Sequence, residues 1–489
     1  MRQVFLRDET NPNPALTEGG FVSRVKVMVR LTHEGLRWEA EEDFARLLPR
    51  VLSAPFEVVK ESPFKLVARA SIDGKTCYIK RYRHDRHPLR PLKFFLKSSQ
   101  ARHEWDLARQ LADRDIPIVH HLAHGERWSW RGLRESILIT ESFPGRPLDE
   151  IEGPPLERVL SLIERMHAKG VLQNDLHPGN ILYCPQTDQI RLVDLHGICL
   201  RQTLSPLERD RNLAFLALFI PLPVSPAVMA ISRAMRLRHY YRRSKRCWKH
   251  NREFAPRRYG RLVWRVRLPD LRDDVVAILR DPDGFLRSEA EILKPGRSAT
   301  VGKKGGLVLK RHNFRKPFSL LKDLLRPSRA WAAFRKAYHL ELVGIPTARP
   351  IAVANDRVGP FLRRSYFLME EIPGAMDLGR FQGGNQQMAG AVARIIARMH
   401  NEGFSHRDLK ETNVVIDRDG RPRLLDLDGL RFMGVVPLQR AIADLARLAR
   451  GTAGLPQYHR ADRVCFLHHY CRERNLRPHD LRIPRPRLG

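Results

Sequence analysis

The chain is poor in acidic residues and in cysteine. Its 489 residues include 54 Asp and Glu against 87 Lys and Arg, which gives a formal net charge of +33. This excess predicts attraction to polyanions, such as nucleic acid, an anionic membrane surface or a phosphorylated substrate. The six cysteines show no paired spacing, which excludes a disulfide framework and favours a reducing compartment. The length suits two domains, each with its own core.

Uninterrupted apolar segments are scarce as well. The first residues, MRQVFLRDETNPNP, contain no apolar core of signal-peptide length, so we expect no export. One uncharged run, 213–231, carries Pro221, Pro223 and Pro226, which would break a membrane-spanning helix. In preference to a membrane span, we predict a buried helix that ends near Phe219 and a Pro-rich loop after it. Peripheral membrane contact through this loop is an alternative.

An internal repeat organises the rest of the chain. Residues 165–182, RMHAKGVLQNDLHPGNIL, align without a gap with residues 398–415, RMHNEGFSHRDLKETNVV, at an offset of 233. Asp194 then matches Asp426 at an offset of 232. This self-similarity predicts a tandem duplication.

Each copy carries a set of oxygen-bearing side chains suited to phosphoryl transfer. In the second copy Asp408 and Asn413 lie five residues apart on one predicted loop, and Asp426 follows a short strand. Such a set supplies a carboxylate to orient an attacking hydroxyl, with an amide and a second carboxylate for Mg²⁺. The spacing matches the kinase signatures H-R-D-x-x-x-x-N and D-x-G, although Asp428 precedes the glycine here. A solvated Asp-rich turn is the alternative, which the complete spacing disfavours.

Upstream positions extend the match to nucleotide binding. Lys80 in TCYIKRY and Lys310 in GLVLKRH lie where a kinase places the Lys that pairs with nucleotide phosphates and a helix Glu. Glu104 is the candidate partner in the first copy, whereas Ala333 occupies the equivalent position in the second. The sequence gives only weak evidence for a glycine-rich phosphate loop, because neither copy contains GxGxxG.

Two further spacings bear on the adenine and on the acceptor. Apolar strands at 137–145 and 366–374 end in an acid followed by Pro-Gly, at Glu141 and Glu370, where a kinase hinge would lie. From Asp194 and from Asp426 only 18 residues lead to the next helix, too few for a long activation loop and an A-P-E segment. This favours a sugar or another small hydroxyl acceptor over a protein.

These motifs resemble the lipopolysaccharide kinase family, the heptose and Kdo kinases of Gram-negative bacteria. The resemblance rests on the following segments: YIKRY (78–82), NDLHPGNIL (174–182), LVDLHGI (192–198), LKRHNFRK (309–316), MEEIPG (369–374), HRDLKETNVV (406–415) and LLDLDGL (424–430). It implies a protein-kinase-like fold, ATP with Mg²⁺, and a lipid-linked sugar hydroxyl as acceptor. It also implies that the protein acts at the cytoplasmic face of the inner membrane.

We therefore predict an α+β protein of two tandem bilobal protein-kinase-like domains, 55–268 and 269–489, after an N-terminal extension, 1–54. The expected site residues, by role, are Asp175, Asp408 and Lys410 for catalysis, Lys80, Glu104, Lys310, Glu141 and Glu370 for ATP, and Asn180, Asp194, Asn413 and Asp426 for Mg²⁺. The expected partners are ATP, an anionic glycolipid or sugar acceptor and an anionic membrane surface. Alternatives are a protein or small-molecule kinase with one pseudokinase copy, and a non-catalytic scaffold that binds polyanions.

The copies differ from each other within the motif. Gln173 stands where the second copy has His406, and His177 stands where it has Lys410. Lys410 could neutralise charge on the transferring phosphoryl group. His177 could do the same only when its imidazole is protonated.

Two other segments carry open alternatives. The basic stretch 240–265 with interleaved aromatics could hold nucleic acid or an anionic lipid, or could be a solvated helix face with its aromatics packed inward. CFLHHYC at 465–471 crowds its polar groups on two helical turns, so we interpret it as a packed helix in preference to a metal cluster.

Overall fold

The computed structural model describes residues 27–85, 91–296, 298–313, 327–359 and 361–481. It divides into two compact units, Met1–Arg233 and Ala234–Gly489, and each is described by itself. The predicted mixture of helix and sheet is confirmed. In the described residues, no helix is both long enough and apolar enough to cross a bilayer.

The first unit is built on a seven-stranded antiparallel sheet with the order β1-β2-β6-β7-β5-β4-β3. Its strands are β1 (Met28–His33), β2 (Leu36–Glu41), β3 (Phe56–Ser62), β4 (Lys65–Ile72), β5 (Lys75–Arg83), β6 (His121–Ser129) and β7 (Gly132–Glu141). Alternate residues of β2, Leu36, Trp38 and Ala40, are buried beneath helices α1 (Glu42–Ala45) and α2 (Leu48–Ser53). Helix α3 (Gln100–Ala112) contacts strands β5, β6 and β7.

Helices dominate the rest of the first unit. Its remaining elements are β8 (Arg146–Pro147), α4 (Leu156–Ala168), β9 (Val171–Gln173), β10 (Ile181–Cys184), β11 (Gln189–Leu192), β12 (Ile198–Leu200) and α5 (Pro206–Leu216), with 3₁₀ turns at Leu92–Phe95, Leu148–Glu150, Pro178–Asn180 and Leu195–Gly197. Helix α6 (Pro226–Ser244) contains the boundary between the two units. The apolar stripe of α4 packs against α5 and the short strands in one core. The loops between these short strands carry the candidate catalytic residues.

The second unit repeats the architecture, with the sheet order β13-β14-β18-β19-β17-β16-β15. Its elements are β13 (Phe254–Tyr259), β14 (Leu262–Arg267), α7 (Asp273–Arg280), α8 (Pro282–Gly284), β15 (Glu291–Lys294), β16 (Ala299–Lys304), β17 (Leu307–Asn313), α9 (Arg329–Leu342), β18 (Pro350–Val358), β19 (Phe361–Glu370), β20 (Met376–Asp377), α10 (Gln386–Asn401), β21 (Phe404–His406), β22 (Val414–Ile416), β23 (Pro422–Leu424), β24 (Leu430–Phe432), α11 (Leu438–Thr452) and α12 (Arg460–Arg474), with 3₁₀ turns at Lys245–Trp248, Leu268–Asp270, Glu411–Asn413 and Pro478–Asp480 and a π turn at Phe285–Glu289.

The sheets correct two expectations about boundaries. Strands β13 and β14 pair into the second sheet through β18, so residues 254–267 belong to the second unit and not to a first domain ending at 268. Strands β1 and β2 occupy the same two places in the first sheet. Residues 28–41 therefore have a counterpart and are part of the first sheet instead of an extension. Trp38 and Trp264, both buried, mark the equivalence.

The apolar run 213–231 is partly buried in the core of the first unit. The run 213–231 contains the end of α5, which stops at Leu216, and a loop whose Ile220 and Leu222 are buried in the first core. Pro226 begins α6, where its missing N–H costs nothing.

In the basic stretch 240–265 the aromatics pack inward, since the Tyr241 ring stacks on Phe432 with centroids 4.8 Å apart.

Candidate active sites

The second unit holds its predicted catalytic loop with backbone hydrogen bonds. The loop follows β21, and the Asn413 side-chain amide donates to the Asp408 carbonyl at 2.7 Å. The Leu425 N–H donates to the Asn413 carbonyl at 2.9 Å, which fixes the strand that leads to Asp426. Asp408, Asn413 and Asp426 are thereby tied into one frame, and the Asn413 side-chain oxygen is left for another ligand.

The first unit contains the same frame. The Asn180 amide donates to the Asp175 carbonyl at 3.0 Å, and the Val193 N–H donates to the Asn180 carbonyl at 3.0 Å. Asp194 follows and adopts a left-handed backbone with φ of 57°, as does Asp426 with φ of 48°. Such a conformation is uncommon for a residue with a side chain, and its occurrence at both matched aspartates shows that the two loops share one geometry.

Gln173 replaces His406 without loss of the local hydrogen bonds. The His406 ring accepts from the Asp408 N–H at 3.3 Å and donates to the Leu425 carbonyl at 3.2 Å. The Gln173 side chain accepts from the Asp175 N–H at 3.2 Å and donates to the Asp194 carbonyl at 3.3 Å. The amide therefore supplies one acceptor and one donor, as the imidazole does, although its donor reaches the carbonyl of Asp194, the match of Asp426, and not that of Val193, the match of Leu425.

Each loop is also anchored to the helix that follows it. The Asp444 carboxylate accepts from the His406 N–H at 2.9 Å and lies 3.4 Å from the buried His400 ring. Burial opposes the charged form of Asp444, but the bonds to His400, Ser405 and His406 outweigh this effect and lower its pKa. In the first unit Asn212 donates to the Gln173 carbonyl at 2.6 Å.

The predicted Lys–Glu pair is present in the first unit. The Lys80 Nζ lies 2.6 Å from the Glu104 carboxylate, whose side chain is only 1% exposed. Burial alone would raise the pKa of Glu104, but the Lys80 charge and the neighbouring His121 hold it far below its usual range. Glu104 is thus a buried, ionised carboxylate paired with Lys80.

The second unit arranges its Lys differently. With the buried Ala333 in place of a Glu, Lys310 Nζ lies 2.8 Å from Asp426 and 3.0 Å from Asp428. Burial lowers the pKa of Lys310, but the two carboxylates outweigh it and the net shift is upward. Lys310 therefore contacts a candidate metal ligand directly.

A cleft of about 610 Å³ runs along these residues of the second unit. Its lining comes from both the sheet and the helical part: Lys310, Ala333, Glu370, Lys410, Asn413 and Asp426 are among the lining residues. The Glu370 N–H donates to the Arg349 carbonyl at 3.0 Å, and the Glu141 N–H donates to the His120 carbonyl at 2.8 Å. The backbone N–H of each predicted hinge acid is thus already hydrogen-bonded to a carbonyl of the protein.

The family model described as the lipopolysaccharide kinase (Kdo/WaaP) family matches residues 51–226 and 311–470, together more than half of the chain. The chain belongs to this family. The first match includes Lys80 and Asp194, and the second begins directly after Lys310.

Individual relatives match over shorter stretches. The chain is 32% identical over 124 residues to the 3-deoxy-D-manno-octulosonic acid kinase of Xylella fastidiosa strain 9a5c, covering 24% of this chain and 49% of the relative. It is 36% identical over 104 residues to the kinase of the same name from Stenotrophomonas maltophilia strain K279a, covering 21% and 41%. The chain thus spans about half the length, or less, of these curated relatives.

One solved structure, described as WaaP in complex with acyl carrier protein, is 23% identical. It covers 43% of this chain and 92% of its own, with a TM-score of 0.29, which is too low to support an argument.

The motifs did not predict three cationic side chains of this family member. Lys336, one turn after Ala333, donates to the Leu427 carbonyl at 2.9 Å, and burial lowers its pKa to about 8. Arg447 Nη1 lies 3.5 Å from the Asp408 carboxylate, as does Lys410 Nζ. Burial lowers the pKa of Lys65 in the first unit, and the charge of Asp194 partly opposes it. Of the three, only Arg447 could have been found from the sequence, because it follows Asp444 by three residues on helix α11.

The acceptor side differs between the units. At the position of Lys410 the first unit has His177, whose Nδ1 accepts from the Gly179 N–H at 3.0 Å and whose ring lies 4.3 Å from that of Phe219. At the position of Arg447 it has Phe215. The second unit therefore places two cations beside Asp408, whereas the matching positions of the first unit carry His177 and Phe215.

Proposed function

We propose that the chain is an ATP-dependent kinase that phosphorylates a sugar hydroxyl of lipopolysaccharide or of a similar glycolipid. The observation that carries this proposal is the repeated frame of Asp, Asn and Asp in both units, beside which the second unit places Lys310 in a cleft. The acceptor sugar that we propose is 3-deoxy-D-manno-octulosonic acid, after the names of the relatives.

The donor set fits Mg²⁺ and ATP. The Asn413 side-chain N–H donates to the Asp408 carbonyl. The Asn413 side-chain oxygen and the Asp426 carboxylate therefore remain as the hard oxygen ligands that Mg²⁺ prefers. Asn180 and Asp194 form the matching set of the first unit. Lys80 and Lys310 would hold nucleotide phosphates, with Glu104 orienting Lys80. When bound, Mg²⁺ and ATP supply the phosphoryl group and a charge to offset its oxygens.

The protein then contributes positioning and electrostatics. Asp408 accepts a hydrogen bond from the acceptor hydroxyl and orients it, as Asp175 does in the first unit. Lys410, 3.5 Å from Asp408, stabilises negative charge on the group in transfer. The short connection from Asp426 to α11 leaves the acceptor side without a peptide-docking segment, which supports a small acceptor.

We also propose that each unit is a bilobal protein-kinase-like domain, with the sheet as one lobe and the helices as the other. The segments after β7 and β19, at Glu141 and Glu370, would connect the lobes and face the adenine. A glycolipid acceptor places the protein at the cytoplasmic face of the inner membrane, as a peripheral protein.

A second candidate assigns catalysis to the first unit and a regulatory role to the second. The observation in its favour is that Lys310 is bound to Asp426 and Asp428, with Ala333 in place of the helix Glu, whereas Lys80 has Glu104. Both candidates predict ATP binding by the first unit.

The test measures phosphate transfer from ATP to lipid A precursors carrying the acceptor sugar, with the full chain. We expect Asp175→Asn with Asp408→Asn to reduce transfer by about 10³-fold, in line with loss of an acid–base residue. Loss of activity with Asp175→Asn alone would select the regulatory second unit. Full activity in the double variant would refute the proposed function.

A further inference from the structure

One end of the first sheet exposes an apolar surface. Two short segments form it: the 3₁₀ turn Leu92–Phe95 with the following Leu96, and the turn between β6 and β7 around Trp130. Leu96 is 92% exposed and Trp130 is 83% exposed, and Leu92, Phe95 and Trp128 are exposed as well. Single exposed apolar residues are ordinary, but five large ones on two adjoining segments form a patch of the kind that marks an interaction site.

The two segments form one fixed surface. Phe94 is buried and its ring lies 4.3 Å from that of His84, which bonds Ser136 of β7 at 3.0 Å. Gly132, with φ of +106°, lies so close to Pro91 that a Cβ there would clash with the Pro91 carbonyl. The 3₁₀ turn is therefore held directly against the strand hairpin, and its apolar side chains are presented by ordered backbone.

Cations surround this apolar surface. Lys93 and Lys97 are exposed on the 3₁₀ segment, and the Arg131 guanidinium lies 4.5 Å from the centre of the Trp130 ring. Beside the hairpin, a cleft of about 310 Å³ is lined by four guanidinium groups and only two carboxylates: Arg81, Arg83, Arg127, Arg134, Asp85 and Glu135. The patch thus combines an apolar centre with a rim of positive charge.

We propose that this end of the first sheet docks onto an anionic phospholipid bilayer. Leu96 and Trp130 would enter the boundary between headgroups and acyl chains, where tryptophan is favoured because its ring is apolar and its N–H is polar. Lys93, Lys97 and Arg131 have stems long enough to keep their charges among the lipid phosphates.

Charge complementarity favours a bilayer over a protein partner. A rim with an excess of positive charge suits a surface that is uniformly negative, whereas protein interfaces deplete lysine. The docking is independent of phosphotransfer. Only its use, to bring the site to a glycolipid, rests on the proposed function.

The test measures binding of the full chain to vesicles of phosphatidylethanolamine and phosphatidylglycerol by flotation. We expect the variant Leu96→Ser with Trp130→Ser to lose at least about tenfold in vesicle affinity, since both apolar side chains leave the membrane boundary. The matched control is Val435→Ser with Val464→Ser, which changes two exposed apolar residues of the second unit and should bind as the wild type does. Equal binding by the patch variant and the wild type would overturn the proposal.

Two further measurements separate the alternatives. We expect binding to fall on neutral phosphatidylcholine vesicles and in about 0.5 M salt, because the rim charges are screened. A wild type that binds neutral and anionic vesicles equally contradicts the role of the rim. A concentration-dependent dimer that the patch variant abolishes, without vesicle binding by the wild type, would show that the surface contacts protein. Thermal unfolding of both variants and phosphate transfer to a soluble acceptor should match the wild type, which distinguishes this proposal from failure of the proposed function.

Discussion

The two units share a backbone and differ in how they use charge. The first buries one ion pair, Lys80 with Glu104, and packs the rings of His177, Phe219 and Phe215 together near its loop. The second has no acid on the helix at that place, and its Lys310 bridges two carboxylates that are partly exposed. The duplicated frame has therefore kept the hydrogen bonds that fix the loops, while the charged groups around it have diverged.

The largest difference should appear in stability. We expect Lys80→Met to lower the free energy of unfolding by about 3–5 kcal/mol, because it removes the cation from the buried Glu104 carboxylate and leaves only the more distant His121 ring beside it. Lys310→Met should cost no more than about 1 kcal/mol, because Asp426 and Asp428 stay in contact with water. Chemical denaturation of the full chain, followed for each unit's transition, checks the comparison, and equal costs would contradict it.

The same pair makes the first unit acid-sensitive. The pKa of Glu104 is lowered from 4.5, so the pair contributes stability that is present above pH 4.5 and is lost as the pH falls below that value. In the Glu104→Gln variant this part of the acid dependence should disappear.

A second difference should appear at alkaline pH. The pKa of Lys336 is lowered from 10.5 to about 8, so the unfolded chain binds the extra proton between these values. Stability contributed by this group therefore rises as the pH increases from 8 to 10.5, by about 1.4 kcal/mol per pH unit. We expect Lys336→Met to lack this rise, with Leu107→Met, at the matching position of the first unit, as the control.

Acceptor recognition gives a smaller effect. Arg447 and Lys410 both lie 3.5 Å from Asp408, and a pair of cations there favours an acceptor that carries an anionic group near its hydroxyl. We expect Arg447→Ala to raise the KM for such an acceptor about tenfold while the KM for ATP stays the same. Phe215→Ala in the first unit should not discriminate between anionic and neutral acceptors. A change confined to kcat would instead assign Arg447 to the chemical step.

The sequence predicted the frame because its residues are local and repeated. Asp175 with Asn180 and Asp408 with Asn413 are five residues apart, so spacing alone brings them together. Lys336 and the carbonyl of Leu427 are 91 residues apart and meet only through packing, which no local pattern reports. The first two strands of each sheet were missed for a related reason. Their repeat is brief, a Leu-x-Trp at Leu36 and Leu262 that was too short to outweigh the longer motif repeat.

The smallest expected effect concerns Gln173, the position where the first loop departs from the kinase signature. Gln173 and His406 each accept from the N–H two residues further on and donate to a carbonyl at or just before the second aspartate, so Gln173→His should change phosphate transfer by less than about twofold. Gln173→Leu has nearly the same volume and can make neither bond, so it should release both the Asp175 N–H and the Asp194 carbonyl and reduce transfer by the first unit. Transfer measured in an Asp408→Asn background isolates the first unit. If His and Leu at this position reduced transfer equally, the loop would depend on the amide shape and not on its two hydrogen bonds, and the two loops would not be equivalent.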